Sequence, residues 1–267
     1  MTRKATAKAK PDESSKRYEF TGETKEFCGR TLWQIRSLVA IAAFSVSPGD
    51  IGGWIESESN LSQVYGDAWV SGDAWVSGDA RVSGNAQVYG DAQVSGDARV
   101  SGNAQVYGDA QVYGNAWVSG DARVSGDARV CGNAQVYGNA RVSGNAWVCG
   151  DARVSGNAWV SGDAWVSGDA RVSGNERVYG NARVSGNAWV CGDAQFGWFS
   201  HVGSGNGTLT WFVEKDGGVR VNRGCFDGSL QEFAAANDKR HGDSQTGQEY
   251  RLLIQFIELR SKQEVTQ

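Results

Sequence analysis

From Gly66 to Gly197 the chain repeats a six-residue unit, Gly-(Asp/Asn)-Ala-X-Val-(Ser/Tyr/Cys), in 22 consecutive copies without an insertion, departing from it only at Glu176 and in the last copy, which ends Phe196-Gly197. Side chains alternate across an extended strand, so the Ala and Val of a unit, such as Ala158 and Val160, share one face and X points the other way. The Gly-Asp or Gly-Asn pair tolerates positive φ and supplies a bend after each short strand. Three such sides close a triangular coil of 18 residues, the pattern of a left-handed parallel β-helix, an exception to the usual crossover hand. A period of six cannot hold apolar residues on one face of a 3.6-residue turn, so helix is excluded here. The run predicts an all-β solenoid of roughly seven coils, about 35 Å long at about 4.8 Å per coil.

Three further segments surround the prism. Residues 1–16 are polar and Lys-rich and read as a disordered tail. Residues 17–65 carry strand-like runs (Tyr18-Glu-Phe20, Leu32-Trp-Gln-Ile-Arg36) and the turn-rich Pro48-Gly-Asp-Ile-Gly-Gly-Trp-Ile55. An open β-helix end exposes strand edges, so this segment is assigned as a small β cap. Residues 198–267 predict a small α+β unit: a hairpin of Thr208–Val213 and Val219–Val221 around Lys215-Asp-Gly-Gly218, then two helices. The first helix opens on a capping box, Ser229 to Glu232, and the second covers Tyr250 to Leu259.

Charge and cysteine usage bound the setting. A net charge of −4 leaves no basic footprint for nucleic acid, so nucleic acid is not an expected partner. The longest apolar run, Leu38 to Phe44, is too short to span a bilayer, and the N-terminus lacks a signal-peptide core. Five cysteines without pairing motifs fit a cytoplasmic protein. Cys131 and Cys149 stack on adjacent coils, but their parallel Cβ vectors favour two reduced thiols in a place that Ser and Tyr fill elsewhere.

The outward X position is not dictated by the fold. Residues 18 apart give three columns: Trp75, Gln93, Gln111, Arg129, Trp147, Trp165, Arg183; then Arg81, Arg99, Trp117, Gln135, Arg153, Arg171, Trp189; then Trp69, Gln87, Gln105, Arg123, Arg141, Trp159, Arg177. Contiguous large apolar side chains mark contacts. The candidate binding residues are Trp147, Trp165 and Trp159 with Arg153, Arg171 and Arg177. These serve either oligomer packing, with a homotrimer preferred, or a partner surface that stacks on Trp and pairs with Arg.

Other departures from the repeat are weaker signals. Asp73, Asp91, Asp109 and Asp127 form an acidic column, read first as interchangeable bend residues, since Asp and Asn alternate at this position elsewhere. Glu176 stands where other units have Ala, and its carboxylate must reach the surface or find a donor. The prism contains no histidine; His201 and His241 both follow it. That removes the base of β-helix acyltransferases and the three-histidine metal site of β-helix carbonic anhydrases, and no metal or cofactor is expected. The absence of Thr between Gly66 and Gly197 removes an ice-binding array.

The repeat, the upstream Gly49-Asp-Ile-Gly-Gly-Trp-Ile-Glu56 with Asn60-Leu-Ser62, and the downstream Gly224-Cys-Phe-Asp-Gly228 and Arg240-His-Gly-Asp243 resemble a group of phage and prophage hexapeptide-repeat proteins, also labelled polymer-forming. The resemblance spans residues 17–260. It implies a phage-type setting in a host bacterial cytoplasm and supplies no activity. The expectation is a non-enzymatic binding or scaffold protein, an inhibitor or sequestering protein acting on a host component, with a host protein or a small nucleotide as partner. A filament- or virion-associated structural protein is the alternative, and an acyltransferase-like enzyme the weaker one.

Overall fold

The computed structural model describes residues 16–64, 66–190, 196–214 and 216–261. The disordered-tail reading of residues 1–16 falls outside this set apart from Lys16, as does Cys191. From β4 (Trp69–Val70) to β24 (Trp189–Val190), each unit contributes a two-residue strand made of its X-Val pair. Strands 18 residues apart pair in parallel, as in Trp117 with Gln135 and Trp147 with Trp165, and generate three faces with seven such strands each. Ala and Val fill the interior throughout, and the three outward columns are those read from the repeat. Face one carries Trp147 and Trp165, face two Trp159 and face three Arg153.

Each bend depends on its glycine. Gly120 has φ +69°, and a Cβ there would lie 2.9 Å from Gly138 N in the next coil. Glycine is required both for the left-handed backbone and for coil-to-coil contact. Beside the glycines, Asn side chains zip the corners together. Asn85 Nδ2 donates to Asn103 Oδ1 at 3.1 Å, and Asn103 Nδ2 donates to Asp121 Oδ1 at 2.9 Å. Asn and Asp are therefore not equivalent at the bend, because only the amide can donate down the column.

The ladder has a direction. Arg99 N donates to Ala116 O and Ser101 N to Val118 O, so N–H groups point toward the C-terminal end and carbonyls toward the N-terminal end. The N-terminal cap accordingly brings donors. A hairpin of β1 (Tyr18–Phe27) and β2 (Arg30–Ser37) pairs with β3 (Ile51–Ile55), which lies parallel on Trp75 and Val76. Trp54 N donates to Ala74 O at 2.9 Å, and Asn60 Nδ2 donates to Gly78 O and Ala80 O at 2.8 and 2.9 Å. Leu61 bridges Val82, so residues 51–62 form an eighth, irregular coil beyond the seven expected. Gly52 and Gly53 permit this approach, since a Cβ on Gly53 would meet Ala74 O at 2.6 Å.

The C-terminal end is closed by β25 (Phe196–Val202), β26 (Gly207–Val213), β27 (Val219–Arg223) and β28 (Phe226–Ser229), an antiparallel sheet in chain order. The expected hairpin is β26 with β27; the flanking strands were not legible in the sequence. Alternation along β26 splits its side chains. Phe212 enters the prism core, while Leu209 and Trp211 join a second core with α1 (Leu230–His241) and α2 (Gln245–Ser261). The capping box of Ser229 and Glu232 opens α1 as expected, and α2 starts at Gln245 rather than Tyr250.

Two expectations are corrected. Cys131 and Cys149 form a disulfide, with Cα atoms 4.7 Å apart. Coil stacking brings the two Cα atoms within disulfide range, and that proximity outweighs the parallel side-chain directions expected from the repeat. Trp69 is not displayed on an outer face but is 2 % exposed, because the N-terminal cap folds over it. Glu176 is half-buried, and its carbonyl still accepts from Trp159 N at 2.8 Å, so the repeat register passes through it unbroken.

Candidate functional site

The six candidate residues do not converge on one surface. Trp147 and Trp165 lie on face one, Trp159 and Arg177 on face two, and Arg153 and Arg171 on face three. On faces one and two the stacked neighbours meet, whereas Arg153 and Arg171 share only a backbone register. The Trp147 and Trp165 rings lie 5.3 Å apart at 54°, and the Arg177 guanidinium sits 5.5 Å over the Trp159 ring.

Face one holds the longest continuous arrangement. Arg129 caps Trp147 at 5.0 Å and Arg183 caps Trp165 at 5.5 Å, giving the order Arg129, Trp147, Trp165, Arg183 along four successive coils. Each exposed cation–π contact is worth about 0.5–1 kcal/mol, enough to order the side chains without burying them. Trp165 remains 39 % exposed. Arg129 and Arg183 were visible in the column arithmetic, but the candidate arginines were neighbours in sequence, which the triangular coil sends to other faces.

Corner residues set the ring poses. Trp117 Nε1 donates to Ser101 Oγ at 3.2 Å and Trp159 Nε1 to Ser143 Oγ at 3.1 Å, both to a residue 16 positions earlier. For Trp147 and Trp165 the same offset leads to Cys131 and Cys149. The disulfide therefore joins the coils of Arg129 and Trp147, one coil earlier than the Trp147–Trp165 contact, and each of its sulfurs occupies the corner position that Ser101 and Ser143 fill for Trp117 and Trp159.

The other tryptophans of the prism divide by position. Trp75 is covered by Phe27, with ring centroids 4.8 Å apart, and the cap's Lys25 sits 4.5 Å over Trp54. Lys25 Nζ also donates to Asp73 O at the head of the acidic column. Burial lowers its pKa, and the carboxylates of Asp73 and Asp91 oppose that shift. Among the described residues no group of His, Cys, Asp and Glu is arranged to hold a metal ion, and no helix is long and apolar enough to cross a membrane.

Where face three meets the C-terminal sheet, an open groove of about 800 Å³ is lined by Asp169, Arg171, Trp189, Glu214, Asp216 and Arg220. Arg220 is committed there, pairing with Asp227 at 2.6 Å and Glu214 at 3.6 Å, and the hydrogen bond to Asp227 raises its pKa further. Of the candidate residues, Arg171 lines this groove.

Parallel pairing, a stacked Ala/Val interior and glycine corners define a β-solenoid protein. The family described as YdcK Beta solenoid repeat matches residues 62–78, 74–90, 92–108, 104–120, 110–126, 134–150, 146–162, 152–168 and 177–192. The chain is similar to that family through its prism, while the two terminal units lie almost wholly outside the matches. No curated protein matches the chain.

Proposed function

We propose that this protein is a non-enzymatic binding scaffold that associates as a homotrimer through its tryptophan-bearing faces and presents its terminal units to a partner. The observation that carries this reading is the face-one order Arg129, Trp147, Trp165, Arg183. Trp and Arg are the residues most enriched at contacts that dominate binding, and here they are pre-ordered on a rigid sheet, so little side-chain entropy is lost on association. Covered ends support a scaffold over an end-growing filament: β3 pairs with β5 and Leu61 bridges Val82 at the N-terminal end, and at the C-terminal end Thr210 of β26 accepts the Arg183 amide while Glu214 bridges Ala188. In the phage-type setting that the sequence resemblance implies, the narrower task of this scaffold is sequestration of a host component in the bacterial cytoplasm.

The test is the solution mass of the full chain and of a Trp147→Ala, Trp165→Ala double variant, measured by light scattering. Both side chains lie outside the core, so circular dichroism should stay unchanged while the trimer dissociates. A wild-type protein that is monomeric, and that also captures the same host proteins as the double variant, would defeat the proposal.

A further inference from the structure

We propose that the C-terminal unit contains a second site, independent of the prism faces, that binds a small ring-bearing organic anion. A cavity of about 260 Å³ lies between the β27–β28 turn and the α1–α2 turn. The two motifs that stand apart from the repeat, Gly224-Cys-Phe-Asp-Gly228 and Arg240-His-Gly-Asp243, meet there, since Cys225 and Phe226 line one side and Arg240 and His241 the other.

Its wall is aromatic. Phe226 contacts Phe233 with ring centroids 5.1 Å apart, Phe233 contacts Tyr250 at 5.2 Å, and Tyr250 contacts His241 at 5.8 Å. Phe233 and Tyr250 are buried and Phe226 is half-buried, so these rings form a fixed apolar wall against which a flat ligand can lie. Volume limits that ligand to about one ring system with a small substituent.

The polar lining selects an anion. Arg223 and Arg240 both line the cavity, and no carboxylate does. The acids nearest in sequence to the α1–α2 turn, Asp238 and Asp243, are engaged by Arg251 at 3.1 and 2.9 Å. Neither Arg223 nor Arg240 forms an ion pair among the described residues. A guanidinium without a carboxylate partner, set beside an apolar wall, is suited to a carboxylate or phosphate.

Two buried polar atoms mark the site as built. Asn237 is 3 % exposed and donates through Nδ2 to Gly247 O at 3.0 Å, yet its Oδ1 has no partner. Arg223 donates through one terminal nitrogen to Val202 O at 2.7 Å, while its buried Nε has none. Buried polar atoms without partners are rare in folded proteins. Both residues line the cavity, where a ligand hydroxyl or amine beside Asn237 and a ligand anion beside Arg223 would supply the partners these groups lack.

Calorimetry on the full chain with 4-hydroxybenzoate and 4-hydroxyphenyl phosphate tests the site and distinguishes a carboxylate from a phosphate. Inorganic phosphate and phenol serve as charge-only and ring-only controls. At least one ring anion should bind saturably, and Arg240→Ala, at an exposed position, should weaken it about tenfold or more. Bound ligand should also slow alkylation of Cys225, which is exposed and lines the cavity. No saturable binding of either ring anion overturns the proposal. So does binding that Arg240→Ala leaves unchanged, binding that does not protect Cys225, or inorganic phosphate that binds as tightly as the ring anions.

Discussion

Thr210 Oγ1 accepts the backbone N–H of Arg183 at 3.1 Å, standing in for the carbonyl that another coil would supply. At the other end Asn60 donates its amide to two carbonyls of the first regular coil. A parallel β-helix is polar along its axis, acceptors at one end and donors at the other, so its two caps must use opposite chemistry. Phe212, two residues from Thr210, fills the last coil's interior from the same strand.

Thr210→Val keeps the side-chain shape and removes the acceptor. Because Thr210 is buried, the Arg183 amide is left unsatisfied at a loss of about 1–2 kcal/mol. The melting temperature should fall, and amide exchange at Arg183 should accelerate before that of central coils such as Arg129.

Glycine substitutions should separate backbone strain from coil stacking. Gly174 has φ +76° with nothing near its virtual Cβ, so Gly174→Ala should lose only the left-handed conformational term of about 1–2 kcal/mol. Gly120→Ala adds a Cβ 2.9 Å from Gly138 N and should lose clearly more. Equal losses in thermal unfolding would show that coil contact is not limiting.

Asn103→Asp interrupts the amide ladder between Asn85 and Asp121. The introduced carboxylate faces Asp121, which removes one hydrogen bond and adds a repulsion of about 1 kcal/mol. Repulsion raises the folded pKa of the pair above the unfolded value, so the destabilisation is present at neutral pH and relieved as pH falls through the carboxylate range. Unfolding midpoints for both proteins at pH 7 and pH 4 check this.

Glu56 gives the opposite sign. Its carboxylate accepts the Gly78 N–H at 2.6 Å and pairs with Arg30 at 2.7 Å, and the backbone hydrogen bond is the main cause that lowers its pKa from the ordinary 4.5. A depressed folded pKa stabilises above the unfolded value, and that stability is lost as pH falls through the folded one. Glu56→Gln should therefore lower the melting temperature at pH 7, with the difference from wild type shrinking below pH 4.5.

Differential alkylation tests the covalent link between coils. Without reductant, Cys28 and Cys225 should label as exposed thiols, whereas Cys131 and Cys149 should appear as one linked peptide in a non-reducing digest. Recovery of Cys131 and Cys149 as separately alkylated peptides from protein purified under air would count against the bond.

The sequence by itself determined the prism. A six-residue period with Ala and Val two apart admits one way of burying apolar surface, and stacking residues 18 apart follows from it, so each outward column could be written down before any coordinate. Column arithmetic even placed Arg129 and Arg183 beside the Trp pair. Only the tertiary structure decided which columns remain open, because Trp69 disappears beneath a cap whose sequence carries no repeat. It also decided the corner chemistry, where Cys131 and Cys149 are joined rather than free. In the C-terminal unit, Arg223, Asn237 and Arg240 lie on different elements, and their meeting depends on how a sheet and two helices pack. Local periodicity fixes contacts between equivalent residues; contacts between unlike segments depend on packing that no period encodes.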